Sequence, residues 1–207
     1  EAIVNGIEML LEYDVEGVQQ PALATGYTVS DDGLTYTFTI REGAVWVDSQ
    51  GRKVADVKAD DFVAGFQHML DAQGGLESLV SGIVKNAAEY ISGEITDFEE
   101  VGVKAPDDRT LVYPLEAPCR YFLTMLGYNP FAPMSREYYV SQGGQFGQDY
   151  DPSAETYTYG TTPNNIAYCG PYLVTNFTSE NTIVFQANES YWNADNINIH
   201  TINWIFN

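Results

Sequence analysis

Alternating apolar and polar residues mark the strands of this chain. From Thr35 to Ile40, Tyr36, Phe38 and Ile40 alternate with three threonines, which sends one set of side chains into a core and the other outward. The turn Asp31-Asp32-Gly33 leads into this segment. Residues 101–104 and 110–115, joined by Pro106-Asp107-Asp108-Arg109, predict a hairpin, and residues 172–176, 182–187 and 198–206 predict three more strands, with Ser179-Glu180-Asn181 turning the first pair. Between residues 61 and 70, Phe62, Val63, Phe66, Met69 and Leu70 fall on about a third of a helix circumference, so a helix there buries one face. Asn86-Ala87-Ala88-Glu89 has capping-box spacing and Gly93 suits a C-terminal cap, which encloses a short helix. Ser135 can cap another that ends at Gly143-Gly144, and residues 120–126 predict one more. Residues 142–165, rich in Gly, Gln, Tyr, Thr and Pro, lose all periodicity and predict a long irregular loop. Helices mixed with antiparallel hairpins predict an α+β (mixed α/β) fold.

Composition narrows the class. At roughly 150 residues per domain, 207 residues make one large domain or two small ones. A content of 44% hydrophobic residues, with 10 Phe, 15 Tyr and 3 Trp, supports a packed core and excludes disorder as a description of the whole. Nine basic against 29 acidic residues give a net charge of −20, which repels phosphate backbones and argues against nucleic acid as a partner. There is no run of about 18 to 20 apolar residues of the kind that spans a membrane. The chain opens at Glu1 and stops at Trp204-Ile205-Phe206-Asn207, within a predicted strand, which reads as a piece of something longer.

Catalytic chemistry is hard to find. His68 lies opposite the apolar arc of its helix and is expected at the solvated surface, while His200 has no Cys or His at metal-ligand spacing. Neither a Gly-x-Ser-x-Gly elbow nor a phosphate-cradling glycine pattern is present. Asp56, Asp60 and Asp61 gather at a helix start, where negative charge suits the dipole. Asp48-Ser49-Gln50-Gly51 fails as a calcium loop, because glycine is misplaced and the twelfth position is Ala59. No catalytic residue, metal or cofactor is expected. Cys119 and Cys169, 50 positions apart, admit two readings: one disulfide closing a long loop, or two separately buried thiols. Of the tyrosines, Tyr128, Tyr150, Tyr157, Tyr159 and Tyr168 interleave with turn residues and are the candidates for a ligand-facing surface.

A resemblance then emerges from the order of short motifs. Pro21-Ala22-Leu23-Ala24, the run from Asp31 through Thr35-Tyr36-Thr37-Phe38 to Gly43, Trp46, and Ala59-Asp60-Asp61-Phe62-Val63 are followed by Tyr90-Ile91-Ser92-Gly93 and Gly102-Val103-Lys104-Ala105-Pro106-Asp107-Asp108. Ala117-Pro118 with Tyr121-Phe122, Cys169-Gly170-Pro171-Tyr172 and Asn188-Glu189-Ser190-Tyr191-Trp192-Asn193 complete the series. Together they resemble extracellular solute-binding protein family 5, the peptide-binding components of ABC importers, and their oligopeptide branch in particular.

That resemblance implies lobe I of a two-lobed periplasmic-binding-protein-like fold of type II, the chain stopping before lobe II. Residues 1–25 and 166–207 would form one subdomain and residues 26–165 an inserted one. It implies a non-enzymatic monomer that holds an extended peptide between its lobes and delivers it to importer membrane subunits. The setting would be the extracellular face of the cell membrane, through a lipid anchor outside this chain, or the periplasm. Tyr128 and Asn129, after the segment at 121–126, and Tyr168, before Gly170-Pro171, become the ligand-binding candidates. Lys58 stands where the family usually has a capping Thr, and both cysteines stand where other residues are usual, which favours Cys119 and Cys169 as a pair. The competing class, suggested by the acidic, Tyr-rich composition, is a secreted carbohydrate-binding module or glycoside-active enzyme fragment.

Overall fold

A computed structural model describes residues 5–178 and 181–206. In chain order its elements begin with the strands β1 (Leu11–Tyr13), β2 (Gln19–Pro21), β3 (Ala24–Val29), β4 (Thr35–Ile40), β5 (Val45–Val47) and β6 (Lys53–Asp56). Helices α1 (Ala59–Ala72) and α2 (Ala87–Ser92), strands β7 (Lys104–Asp107) and β8 (Thr110–Pro114), and helices α3 (Phe122–Met125) and α4 (Arg136–Ser141) follow. The strands β9 (Tyr172–Thr178), β10 (Thr182–Ala187) and β11 (Thr201–Ile205) come last. All pairing is antiparallel: a four-stranded sheet in the order β3-β4-β8-β7, a three-stranded sheet β11-β10-β9, and the hairpins β1-β2 and β5-β6.

The alternation in β4 does what it predicts. Tyr36, Phe38 and Ile40 are buried, and on the neighbouring strand Leu111 and Tyr113 face the same core. The apolar stripe of α1 packs on that sheet face, with Phe62 and Phe66 fully buried. Phe66, Tyr113, Phe122 and Phe131 form a set of mostly edge-on ring contacts at 5.6 to 6.1 Å. The core also takes in Leu10 and Leu23 from the N-terminal segment.

Several expected boundaries shift, each for a local reason. The strand read at 101–104 starts at Lys104 and runs through Pro106 and Asp107, which were expected in the turn; ahead of it, Gly102 N–H instead donates to Lys85 O at 2.7 Å. Asn86 does not cap α2: its φ of 57° is left-handed, and its side-chain amide donates to Glu100 O at 2.8 Å. Gly93 does close that helix, at φ 77°. Ser135 Oγ accepts from Tyr138 N–H at 3.4 Å and caps α4, which ends sooner than expected, at Ser141. The segment at 120–126 is helical only over Phe122–Met125, and the last strand begins at Thr201, after His200. Of the expected turn at Ser179-Glu180-Asn181, Ser179 and Glu180 lie outside the described residues. Residues 142–165 are irregular, as expected, apart from two single-turn 3₁₀ segments.

Two site expectations are corrected. Cys119 and Cys169 are both buried free thiols, not a disulfide. Each is held in a different place: the Cys119 carbonyl accepts from Tyr36 OH at 3.2 Å, whereas Cys169 Sγ accepts from Glu8 N–H at 3.4 Å. Burial pushes the Cys169 thiol pKa well above its ordinary value. His68, expected at the surface, is half-buried among tyrosines.

Candidate functional site

The N-terminal segment runs buried from Ile7 to Leu11 and emerges at Glu12 and Tyr13. It is held from below by the motif near the other end of the chain. Asn188 Nδ2 donates to Gly170 O at 3.0 Å, Asn188 N–H donates to Pro171 O at 2.8 Å, and Cys169 and Gly170 N–H both reach Gly6 O, at 3.1 and 2.9 Å. A Cβ on Gly170 would sit 2.8 Å from Gly6 C and Ile7 N, so only glycine permits this approach.

Tyr191 then places its hydroxyl on Glu8, donating to Oε2, while Oε1 accepts from Met9 N–H at 3.1 Å. Glu8 is only 8% exposed, and burial raises its carboxyl pKa despite those hydrogen bonds; nearby Glu12 adds to the rise. Beside them the Arg41 guanidinium lies over the Trp192 ring, 3.6 Å from its centroid, with Nε donating to Ala22 O at 2.8 Å. The sequence motif ending Tyr191-Trp192 is thus a clasp on the N-terminal segment.

Above this clasp runs a groove of about 250 Å³ lined by residues 7–9 and 11–13, Gly127, Pro171 and Tyr191. Through Glu12, Pro171 and Tyr191 it continues into a second hollow of about 360 Å³, which reaches Asn193 and Ile199. β1 pairs only with β2 among the described residues, so the strand along the groove keeps one hydrogen-bonding edge without a partner. Gln19 Nε2 donates to Leu123 O at 2.8 Å and ties the hairpin to α3, and Tyr13 lies against Gly127. A larger hollow of about 790 Å³ lies between α1 and β7, with Val63 and Val103 in its lining. Pro106 there removes a donor from the edge strand, and Lys104 is tied to Glu99, so that edge is less suited to pairing.

The sequence-predicted residues separate. Tyr128 and Asn129 follow the groove-lining Gly127 and are both exposed, Tyr128 at 64%. Tyr168 is a correction: it is 2% exposed, packs with Val47 and Leu173, and donates its hydroxyl to Pro163 O at 2.8 Å. Tyr150, Tyr157 and Tyr159 are also turned inward, around Tyr139 and His68. Glu8, Glu12 and Tyr13 were missed because the segment reads as an undifferentiated apolar run. Tyr191 and Pro171 were visible only as motif letters. Among the described residues no cluster of His, Cys, Asp and Glu could hold a metal ion, and no helix is long and apolar enough to cross a membrane.

A mixed α/β unit with a groove along its N-terminal strand is the architecture of one lobe of a two-lobed binding protein. Residues 19–207 match the model of bacterial extracellular solute-binding proteins, family 5, and the chain belongs to that family. It is 39% identical over 199 residues to the oligopeptide-binding protein AmiA of Streptococcus pneumoniae and 37% identical over 198 residues to SarA of Streptococcus gordonii. Each alignment covers 96% of this chain and 28% of the relative, so the chain spans little more than a quarter of their length. Among solved structures it superposes with a TM-score of 0.83 and 25% identity on Listeria monocytogenes OppA bound to peptide, covering all of this chain and 37% of that one.

Proposed function

We propose that this chain forms one wall of the peptide-binding cleft in the substrate-binding component of an ABC importer. The observation that carries the reading is the groove along β1, a strand with an unpartnered edge. An extended peptide laid there would add as a further strand, taking main-chain hydrogen bonds that are indifferent to its sequence while its side chains fall into the flanking hollows. Tyr13, Tyr128 and Asn129 would contact it from the rim, and Glu8 with Tyr191 would shape the floor. The relatives are named as oligopeptide-binding proteins rather than enzymes, and the family is described as extracellular. Both support a receptor that passes its cargo to membrane subunits; that it does so as a monomer belongs to the proposal.

The inserted arrangement of residues 26–165 between 1–25 and 166–207 belongs to the same proposal. It is supported by the three-stranded sheet, which draws all its strands from the C-terminal segment. Calorimetry on the protein containing both lobes, titrated with mixed oligopeptides and separately with oligosaccharides, tests the function. Heat of binding is expected with peptides; binding of sugars alone would overturn the reading.

A further inference from the structure

The face of α1 turned away from the central sheet carries His68 and, three residues on, Asp71. His68 packs among Tyr139 of α4 and Tyr150 and Tyr159 of the 142–165 segment, with ring centroids 5.0, 5.6 and 6.2 Å away. Its Nδ1 is buried and has no hydrogen-bond partner. Asp71 fastens the same segment: Oδ2 accepts from Gly147 N–H at 2.7 Å, and Oδ1 accepts from Tyr90 OH of α2 at 2.7 Å. A third tie comes from Tyr139 OH, which donates to Gln145 O at 3.0 Å.

We propose that residues 142–165 form a strap held shut over α1 by the neutral ring of His68 and released when that ring takes up a proton. A neutral imidazole carrying its hydrogen on Nε2 leaves Nδ1 as a lone pair, which is tolerable in an aromatic cage. Protonation turns Nδ1 into a donor, and a buried donor without an acceptor costs far more. None of the groups that face it is hydrogen-bonded to Nδ1. The Asp71 oxygens are directed at Tyr90 and Gly147 and the Tyr139 hydroxyl at Gln145, while Tyr150, Tyr157 and Tyr159 are phenols kept neutral by pKa values above the ordinary one, so no acceptor is placed to receive the new donor. Tyr90 reaches the cage only through Asp71. Burial lowers the pKa of the His68 imidazole, in the sense the geometry requires.

Hydrogen exchange of the chain at pH 7.5 and pH 5.0, corrected for intrinsic rates, tests this. Strap amides are expected to exchange faster at pH 5.0, by up to about 30-fold, the ratio of charged to neutral imidazole for an ordinary pKa of about 6.5. Amides of β4 and β8 should not follow. His68→Phe and His68→Gln should both abolish the difference, the second guarding against misfolding of the first. With only two histidines in the chain, the imidazole resonances can be titrated by NMR with His200 as the internal standard. A strap unaffected by acid, a response retained in both variants, acid protection through cation–π contacts, or acceleration shared with β4 and β8 would each refute the proposal.

Discussion

At the scale of single residues, two buried carboxyls and one half-buried imidazole pull stability in opposite directions. Asp61 accepts from Trp46 Nε1 and Lys58 N–H, both at 2.8 Å, and from Arg136 N–H at 3.2 Å, yet burial outweighs these donors and raises its pKa to about 6. Its ionised form is therefore disfavoured in the fold. The contribution is most stabilising below its unfolded pKa near 3.8 and is lost as pH rises toward and through 6, on the order of 3 kcal/mol. Glu8 acts in the same sense, whereas His68, with a lowered pKa, destabilises as pH falls. Urea titrations from pH 4 to 7 should show a flatter profile in Asp61→Asn than in the unmodified chain; an unchanged slope would contradict the assignment. Tyr191→Phe removes the hydroxyl from Glu8 and should cost about 1 to 3 kcal/mol in the same assay at pH 7. None of this was legible in the sequence, where Glu8 is one acid among 29 and nothing marks it as buried.

At the scale of elements, periodicity located what packs and overlooked what merely borders. β4, β8 and the stripe of α1 were readable because each has one buried face repeating at its own period. β1, β2, β5 and β6 are short strands of three or four residues without room for a pattern, and they were missed although β1 makes the groove. Asn86 misled because a capping box is a spacing, whereas a cap is a backbone conformation. Helix α1 also holds a case where propensity predicts the wrong sign. Gly65→Ala should favour an isolated helix by roughly 1 kcal/mol. Here its Cβ would lie 2.2 Å from Ala132 O, a backbone atom of the segment α1 packs against. The substitution is expected to destabilise by about 3 kcal/mol and lower the melting temperature by about 6 to 12 °C; a higher melting temperature would show that the segment yields freely.

For the whole molecule, a net charge of −20 on 207 residues makes self-repulsion a global term. The melting temperature should rise as sodium chloride goes from 10 mM to about 150 mM, where the Debye length falls to about 8 Å; a flat response would mean the charges are spaced too widely to matter. Peptide affinity belongs to this scale as well. One wall leaves an extended ligand half solvated, so this chain alone should bind peptide weakly or not at all in calorimetry, and micromolar affinity would contradict the division of the cleft between lobes.

The Glu8–Tyr191 hydrogen bond has a consequence in time as well as in space. Its partners stand 183 positions apart, and the Gly6 contacts to Cys169 and Gly170 span nearly as far. Contacts of such long range close late, because the chain between them must first surrender its loop entropy. A nascent chain leaving the ribosome can pair β3 with β4 almost at once, but the segment from Gly6 to Glu8 must wait until Cys169, Gly170 and Tyr191 have been synthesised. The groove then matures later than the β3–β4 pair, and for that interval the apolar run from Ile7 to Leu11 is open to chaperones or to its neighbours.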